Sequence, residues 1–244
     1  MHGLSAAVLL NVWERGLPQT PAERAFTLLR AACPETSADV MVSWTIGQRD
    51  AALLTLHELT FSPDLEAQIA CPACAAALEM TLRVGDLRLP PRAEEPREHC
   101  MRQGEHEVHF RLPTLRDLHD AIELKDPVQA QRHLLKACVL KTMRDGMPVP
   151  VELVPEEVAQ EVEQRMDKAD PQADMRFDLS CPTCGHVWQE TFDIVGFFWT
   201  EINAKAQRLL REVHQLARAY GWSEADILAL SPSRRYLYLE MIGS

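Results

Sequence analysis

The sequence predicts an α+β fold, predominantly helical, with a small antiparallel zinc-ribbon-like sheet interrupted by a helical insertion. Three observations carry this expectation. Two Cys-x-x-Cys turns, Cys71-Pro72-Ala73-Cys74 and Cys181-Pro182-Thr183-Cys184, stand far apart in the chain. Each is flanked by residues that alternate apolar and polar, the pattern of a half-buried strand. Elsewhere apolar residues recur at helical spacing, most regularly from Phe197 to Tyr220.

Taken in order, residues 1–60 read as helical. Ser5 to Leu10 begins a first helix, followed by Val12-Trp13-Glu14-Arg15-Gly16. Thr20-Pro21-Ala22-Glu23 has a Thr cap, Pro at the first helical position and Glu three after the cap. Its apolar stripe ends near Cys33-Pro34, and another helix runs from Thr45-Ile46 through Leu59. Trp13 and Trp44 read as packing residues. Residues 61–112 form the first half of the sheet, with Leu78–Val84 and His106–Leu112 alternating as strands. His106 and His109 are expected on the solvent face, with metal ligation the minor alternative because the cysteine shell is already full. The Pro-, Glu- and Arg-rich stretch 89–104 reads as a mobile surface loop.

Residues 113–170 read as the helical insertion, with helices at Leu115–Ile122 and Pro127–Cys138 and an acidic amphipathic one from Glu156. The acids of that last helix suit its N-terminal dipole and a solvated face better than a metal site. Residues 171–195 supply the second half of the sheet, Met175–Leu179 leading into the second cysteine turn and Val187–Ile194 leading away. Residues 196–244 are helical again. Gly221 ends the long helix, Ser223 caps a short one, and Ser231-Pro232 starts a third. Glu201 and Lys205 are spaced for an outer-face ion pair.

The cysteine turns carry the chemistry. One such turn offers two thiolates to one metal ion, and two turns complete the four-sulfur shell of structural zinc. Cys71, Cys74, Cys181 and Cys184 are therefore the expected metal ligands, with Zn2+ as the cofactor. A closed shell leaves no open coordination position, so no catalytic residue is expected and the chain is not read as an enzyme. Gly185 suits the left-handed position that ends a zinc knuckle. Ala75 takes that place in the first turn, which predicts a distortion there. Two other readings stay open: a thioredoxin-type redox pair, which normally opens a helix after a strand, and inert core cysteines. His186 is a substitute ligand in a minor variant of the zinc reading. Cys33, Cys100 and Cys138 are expected to be buried or incidental, with Cys100, in the mobile loop, open to oxidation.

Composition narrows the function classes. A formal charge of −11 over 244 residues argues against a nucleic-acid surface, because phosphate binding draws on clustered Lys and Arg. It favours partners with basic faces. No apolar run reaches the length of a membrane span, and Met1–Leu10 has neither a charged n-region nor a cleavage site. Together with seven cysteines, two pairs of them in metal-like turns, this predicts a chain made in the reducing cytoplasm, with no membrane, nucleic-acid or small-molecule partner. A helix-turn-helix reader is a possible description of the C-terminal helices, but the Tyr, Trp and Arg there suit a protein-docking surface better. A zinc-ribbon adaptor for nucleic acid or the transcription machinery is the alternative function.

The segment Tyr220-Gly221-Trp222-Ser223-Glu224-Ala225-Asp226-Ile227-Leu228-Ala229-Leu230-Ser231, with Arg234-Arg235 and Tyr238-Leu239, resembles the C-terminal signature of baseplate proteins of contractile phage tails. Val12–Gly16 and the two Cys-Pro-x-Cys turns are similar to a zinc-ribbon-bearing bacterial branch of the T-even-like baseplate hub assembly proteins and their counterparts in phage-like contractile injection systems. The resemblance implies a non-catalytic assembly chaperone or structural component of a baseplate hub. Its partners would be other baseplate or hub proteins, and it could be incorporated into a tail-like particle.

Overall fold

The computed structural model describes residues 1–90, 96–122, 124 and 126–243. In chain order the helices are α1 (Ala6–Gly16), α2 (Pro21–Ala32), α3 (Ala38–Val42), α4 (Ile46–Thr60), α5 (Val84–Leu87), α6 (Leu115–Ile122), α7 (Pro127–Cys138), α8 (Glu156–Ala169), α9 (Ile194–Tyr220), α10 (Glu224–Ala229) and α11 (Pro232–Gly243). The strands are β1 (Asp64–Ala70), β2 (Ala77–Arg83), β3 (His99–Gln103), β4 (His106–Phe110), β5 (Val139–Arg144), β6 (Met147–Pro148), β7 (Arg176–Ser180) and β8 (Val187–Thr191). The predominantly helical α+β class holds. The chain divides into two units: one of Met1–Glu35, Leu53–Pro63 and Asp193–Ser244, the other of Thr36–Ala52 and Asp64–Phe192.

The first unit is all helical. Thr20 and Glu23 form the expected capping box at the start of α2. Arg24, one turn in, turns its Nε–H onto the last carbonyl of α1, Gly16 O, at 2.9 Å. Its guanidinium also lies 4.4 Å from the Trp199 ring centroid, a cation–π contact. Gly16 is required here, since a Cβ would sit 2.2 Å from that ring. Along α9 the buried residues Ile194, Phe198, Ile202, Ala206, Leu209 and Leu216 make one stripe. Each large one contributes roughly 1.5–3 kcal/mol by leaving water. Gly221 ends the helix at φ 69°, and its N–H reaches Ala217 O at 2.8 Å. Trp13 packs as expected, with Nε1–H donating to Asn203 Oδ1 at 2.9 Å.

The expected Glu201–Lys205 surface pair is corrected by His57. That imidazole is wholly buried and ringed by Phe61, Phe197 and Phe198, with centroids 5.3–5.9 Å away. Its Nε2 bonds the Glu201 carboxylate, so Glu201 is turned toward the buried aromatic cluster and away from the outer face of α9.

In the second unit each cysteine turn is the tip of its own antiparallel hairpin. β1 and β2 pair Leu65 with Leu82, Ala67 with Met80 and Ile69 with Leu78. β7 and β8 pair Phe177 with Glu190 and Leu179 with Trp188. These same residues are the ones drawn from water on each strand, the outcome of period-two alternation. The expectation of one sheet spanning both halves is corrected: the hairpins are separate two-stranded sheets with no ladder between them. A hairpin satisfies its ladder with its nearest neighbour in sequence, and loop closure over about a hundred residues is not needed for that.

A third sheet, ordered β3-β4-β5-β6 and antiparallel throughout, was not expected. It takes His106–Phe110 away from the ribbon and places strands β5 and β6 inside the stretch read as the helical insertion. It also makes a strand of His99–Gln103, so Cys100 is not a loop thiol; residues 91–95 of the expected loop lie outside the described residues. Met101, Val108 and Phe110 from the sheet, with Leu112 just after β4, meet Cys138 and the α8 stripe Val158, Val162 and Met166 in one core. The acids of α8 accordingly lie off that stripe, Glu161 pairing with Arg165 one turn on. Alternation also separates the two histidines. His109 shares the solvent face with Glu107, whereas His106 falls in register with the core residues Val108 and Phe110.

Two polar links fix the unit. Asp170 accepts from the Gly47 N–H at 2.9 Å, and a Cβ on Gly47 would collide with that carboxylate. Arg111, after β4, forks onto Asp117 in α6 at 2.6 and 2.8 Å and onto Ala137 O in α7 at 3.0 Å. Asp117 also accepts from Thr114 N and Oγ1 at 2.8 and 2.7 Å, capping α6.

Candidate metal centre

The two cysteine turns fold alike because their backbones make the same bonds. In the first, Cys71 N–H donates to Ala76 O and Ala75 N–H to Cys71 O, both at 2.9 Å. In the second, Cys181 N–H donates to His186 O and Gly185 N–H to Cys181 O, both at 2.9 Å. The fifth residue is left-handed in each, with φ 58° at Ala75 and 74° at Gly185. The distortion expected from Ala75 is thus absent. Alanine takes the glycine conformation, at a steric cost of roughly 1–2 kcal/mol. Replacing Ala75 by Gly is expected to raise stability by on the order of 1 kcal/mol, since the gain in unfolded-chain freedom offsets part of the relief. A urea denaturation midpoint no higher than that of the native chain would refute this strain.

The tips meet. Sγ of Cys71, Cys74, Cys181 and Cys184 all lie within 4.8 Å of one another. Cys71 and Cys184 are 3.8 Å apart and Cys74 and Cys181 3.7 Å. A disulfide needs about 2.05 Å, and these are free thiols. Four sulfurs around tetrahedral zinc, each about 2.3 Å from the metal, stand about 3.8 Å apart, which the two pairs match. Cys71 and Cys181 are buried and Cys74 and Cys184 exposed. Each turn therefore contributes one inner and one outer sulfur.

The electrostatics are those of thiols crowded at one point. At Cys181 the backbone N–H groups of Cys184, foremost, and Thr183 outweigh desolvation and pull the thiol down to about 6. At Cys74 the Ala76 N–H favours the thiolate, but the Cys184 sulfur, desolvation and the sulfurs of Cys181 and Cys71 together push it up to about 12. The redox alternative expects a turn that opens a helix; both turns here lead into strands, β2 and β8. His186 is exposed and stacks on Trp188, with ring centroids 5.9 Å apart, and is not one of the converging group.

Of the three remaining cysteines, Cys33 caps the C-terminus of α2 and is buried. Cys138 belongs to the sheet–α8 core, where burial raises its thiol to about 12.

Compared with known proteins, the chain matches a family model described as T4 bacteriophage base plate protein over residues 18–199. No curated protein and no solved structure matches it. The matched range contains both cysteine turns and the whole stretch between them. Val12–Gly16 and the Tyr220–Leu239 segment, on which the sequence resemblance partly rested, lie outside it.

Proposed function

The chain belongs to the family of T4 bacteriophage base plate proteins, and on that premise we propose that it is a zinc-stapled, non-catalytic component or assembly chaperone of a contractile-tail baseplate hub. The family match carries the structural role, and the four converging sulfurs support the zinc. Cys71, Cys74, Cys181 and Cys184 would hold the ion in a closed shell, which fastens two hairpins and leaves no position for substrate. Function then lies in surfaces offered to other baseplate proteins. Tyr236, Leu237 and Met241 on α11 are more than half exposed, and the acidic chain suits basic faces. Among the described residues no helix is long and apolar enough to cross a membrane.

Expressed with its tail genes, a tagged chain is expected to co-purify with baseplate or hub proteins, and its deletion to leave tails without assembled baseplates. Normal particles from the deletion strain would defeat the proposal. Presence or absence of the chain in purified finished particles separates component from chaperone.

A further inference from the structure

We propose that the outer face of the β3–β4 hairpin holds a second divalent-metal site, made by Cys100, Glu107 and His109 and taking Zn2+ with three protein ligands and one open position. It is independent of the four-cysteine centre. The register creates it: Cys100 lies opposite His109 and Arg102 opposite Glu107, so all four side chains share one face. The alternate residues Met101, Val108 and Phe110 are fixed in the core, which holds the hairpin in that register. The thiol, one carboxylate oxygen and one imidazole nitrogen lie within 4.8 Å of one another.

Two of the three ligand groups are oriented by a residue outside the trio. His109 Nδ1 bonds Glu98 Oε1 at 2.7 Å, which leaves Nε2 turned toward Cys100 Sγ at 3.7 Å and Glu107 Oε1 at 2.9 Å. A histidine tied by one nitrogen to a carboxylate is the usual support for a metal on the other. Arg102 holds the opposite oxygen of Glu107, with Nε 2.7 Å from Oε2, so Oε1 is the one presented. On tetrahedral zinc a thiolate sulfur and an imidazole nitrogen stand about 3.6 Å apart, close to the separation here, while the nitrogen–oxygen gap must widen by about 0.4 Å. Glu98 and Glu107 balance Arg102 and the cross-strand neighbour Lys141, and zinc would displace the thiol proton of Cys100 and any proton on His109 as it binds. Sulfur, imidazole and carboxylate together favour zinc over magnesium or calcium. The position facing solvent would take water or a group from a neighbouring protein.

The test is metal titration of the full chain, stripped with chelator, kept reduced and refilled with Zn2+ or Co2+. The native protein is expected to take two equivalents. Cys100→Ser and His109→Ala should each take one, and Cys181→Ser should lose the other. Glu98→Gln should weaken the second equivalent by about 10–100-fold while keeping the first. Since these side chains face solvent, circular dichroism of the His109 and Cys100 variants should match the native chain. Two equivalents retained in His109→Ala, or a single native equivalent that Cys181→Ser abolishes, would overturn the proposal. A single native equivalent lost in His109→Ala but kept in Cys181→Ser would uphold it and remove the four-cysteine centre instead.

Discussion

Replacing Cys181 with serine is expected to empty the four-cysteine centre and unfold both hairpins. Structural zinc supplies about 10–16 kcal/mol in zinc-finger peptides. Even a third of that, on the order of 4 kcal/mol, is a large fraction of the ~5–15 kcal/mol by which a folded domain is stable. Among the described residues no strand ladder runs between the hairpins, and an isolated two-stranded hairpin is marginal. Zinc measured by mass spectrometry should fall by one equivalent. Limited proteolysis should then open 64–83 and 176–191 while sparing the α9 helix. Chelation of the native chain should reproduce this, and re-addition of zinc should reverse it. Cys33→Ser is the control, expected to keep its metal. An unchanged melting temperature and metal content in Cys181→Ser would end the zinc reading.

Asp117→Ala should be the second severe variant, costing about 3–5 kcal/mol. It would strand the Arg111 guanidinium and the Thr114 N–H, and an uncompensated charge in a mostly buried pair is the expensive case. The loss should grow smaller in acid. Burial alone would raise the Asp117 carboxyl, yet the bonds from Arg111 and Thr114 outweigh it and hold it at about 2, below its ordinary 3.8. A depressed folded value means the stabilisation is complete above about pH 4 and is lost as pH falls toward 2. From 3.8 down to about 2 this is worth about 2.5 kcal/mol in full, of which about 2 kcal/mol is gone by pH 2. Urea denaturation of both proteins should therefore show their difference narrowing by about that much from pH 5 to pH 2. A difference that stays constant with pH would mean the aspartate acts by packing and not by charge.

Local signals were read correctly where neighbours in sequence decide the outcome. The capping box at Thr20, α6 and α7 to the residue, the stop at Gly221 and the Ser223 cap all follow from contacts within a few positions. The strands missed were those whose partners are distant or whose sequence is polar. β3 reads His-Cys-Met-Arg-Gln, with one apolar residue buried, and β5 follows α7 without a turn signal. Their strand character comes from pairing with β4, which alone among them alternates plainly. The grouping of Cys100, Glu107 and His109 was out of reach for the same reason, although the sequence admits His109 by itself as a minor ligand. Cys100 and His109 are nine residues apart, and only the β3–β4 register puts them opposite one another.

What the sequence determined by itself was the chemistry available: four cysteines in two tight turns, and an apolar stripe for helices such as α2, α8 and α9. Those are properties of residue type and short spacing. The tertiary structure alone decided which groups meet. It joined residue 71 to residue 184, gave Glu201 to a buried histidine, split one expected sheet into three, and aligned a thiol with an imidazole across a hairpin. Such meetings depend on which apolar faces bury together, a sum over the whole chain that no short stretch contains.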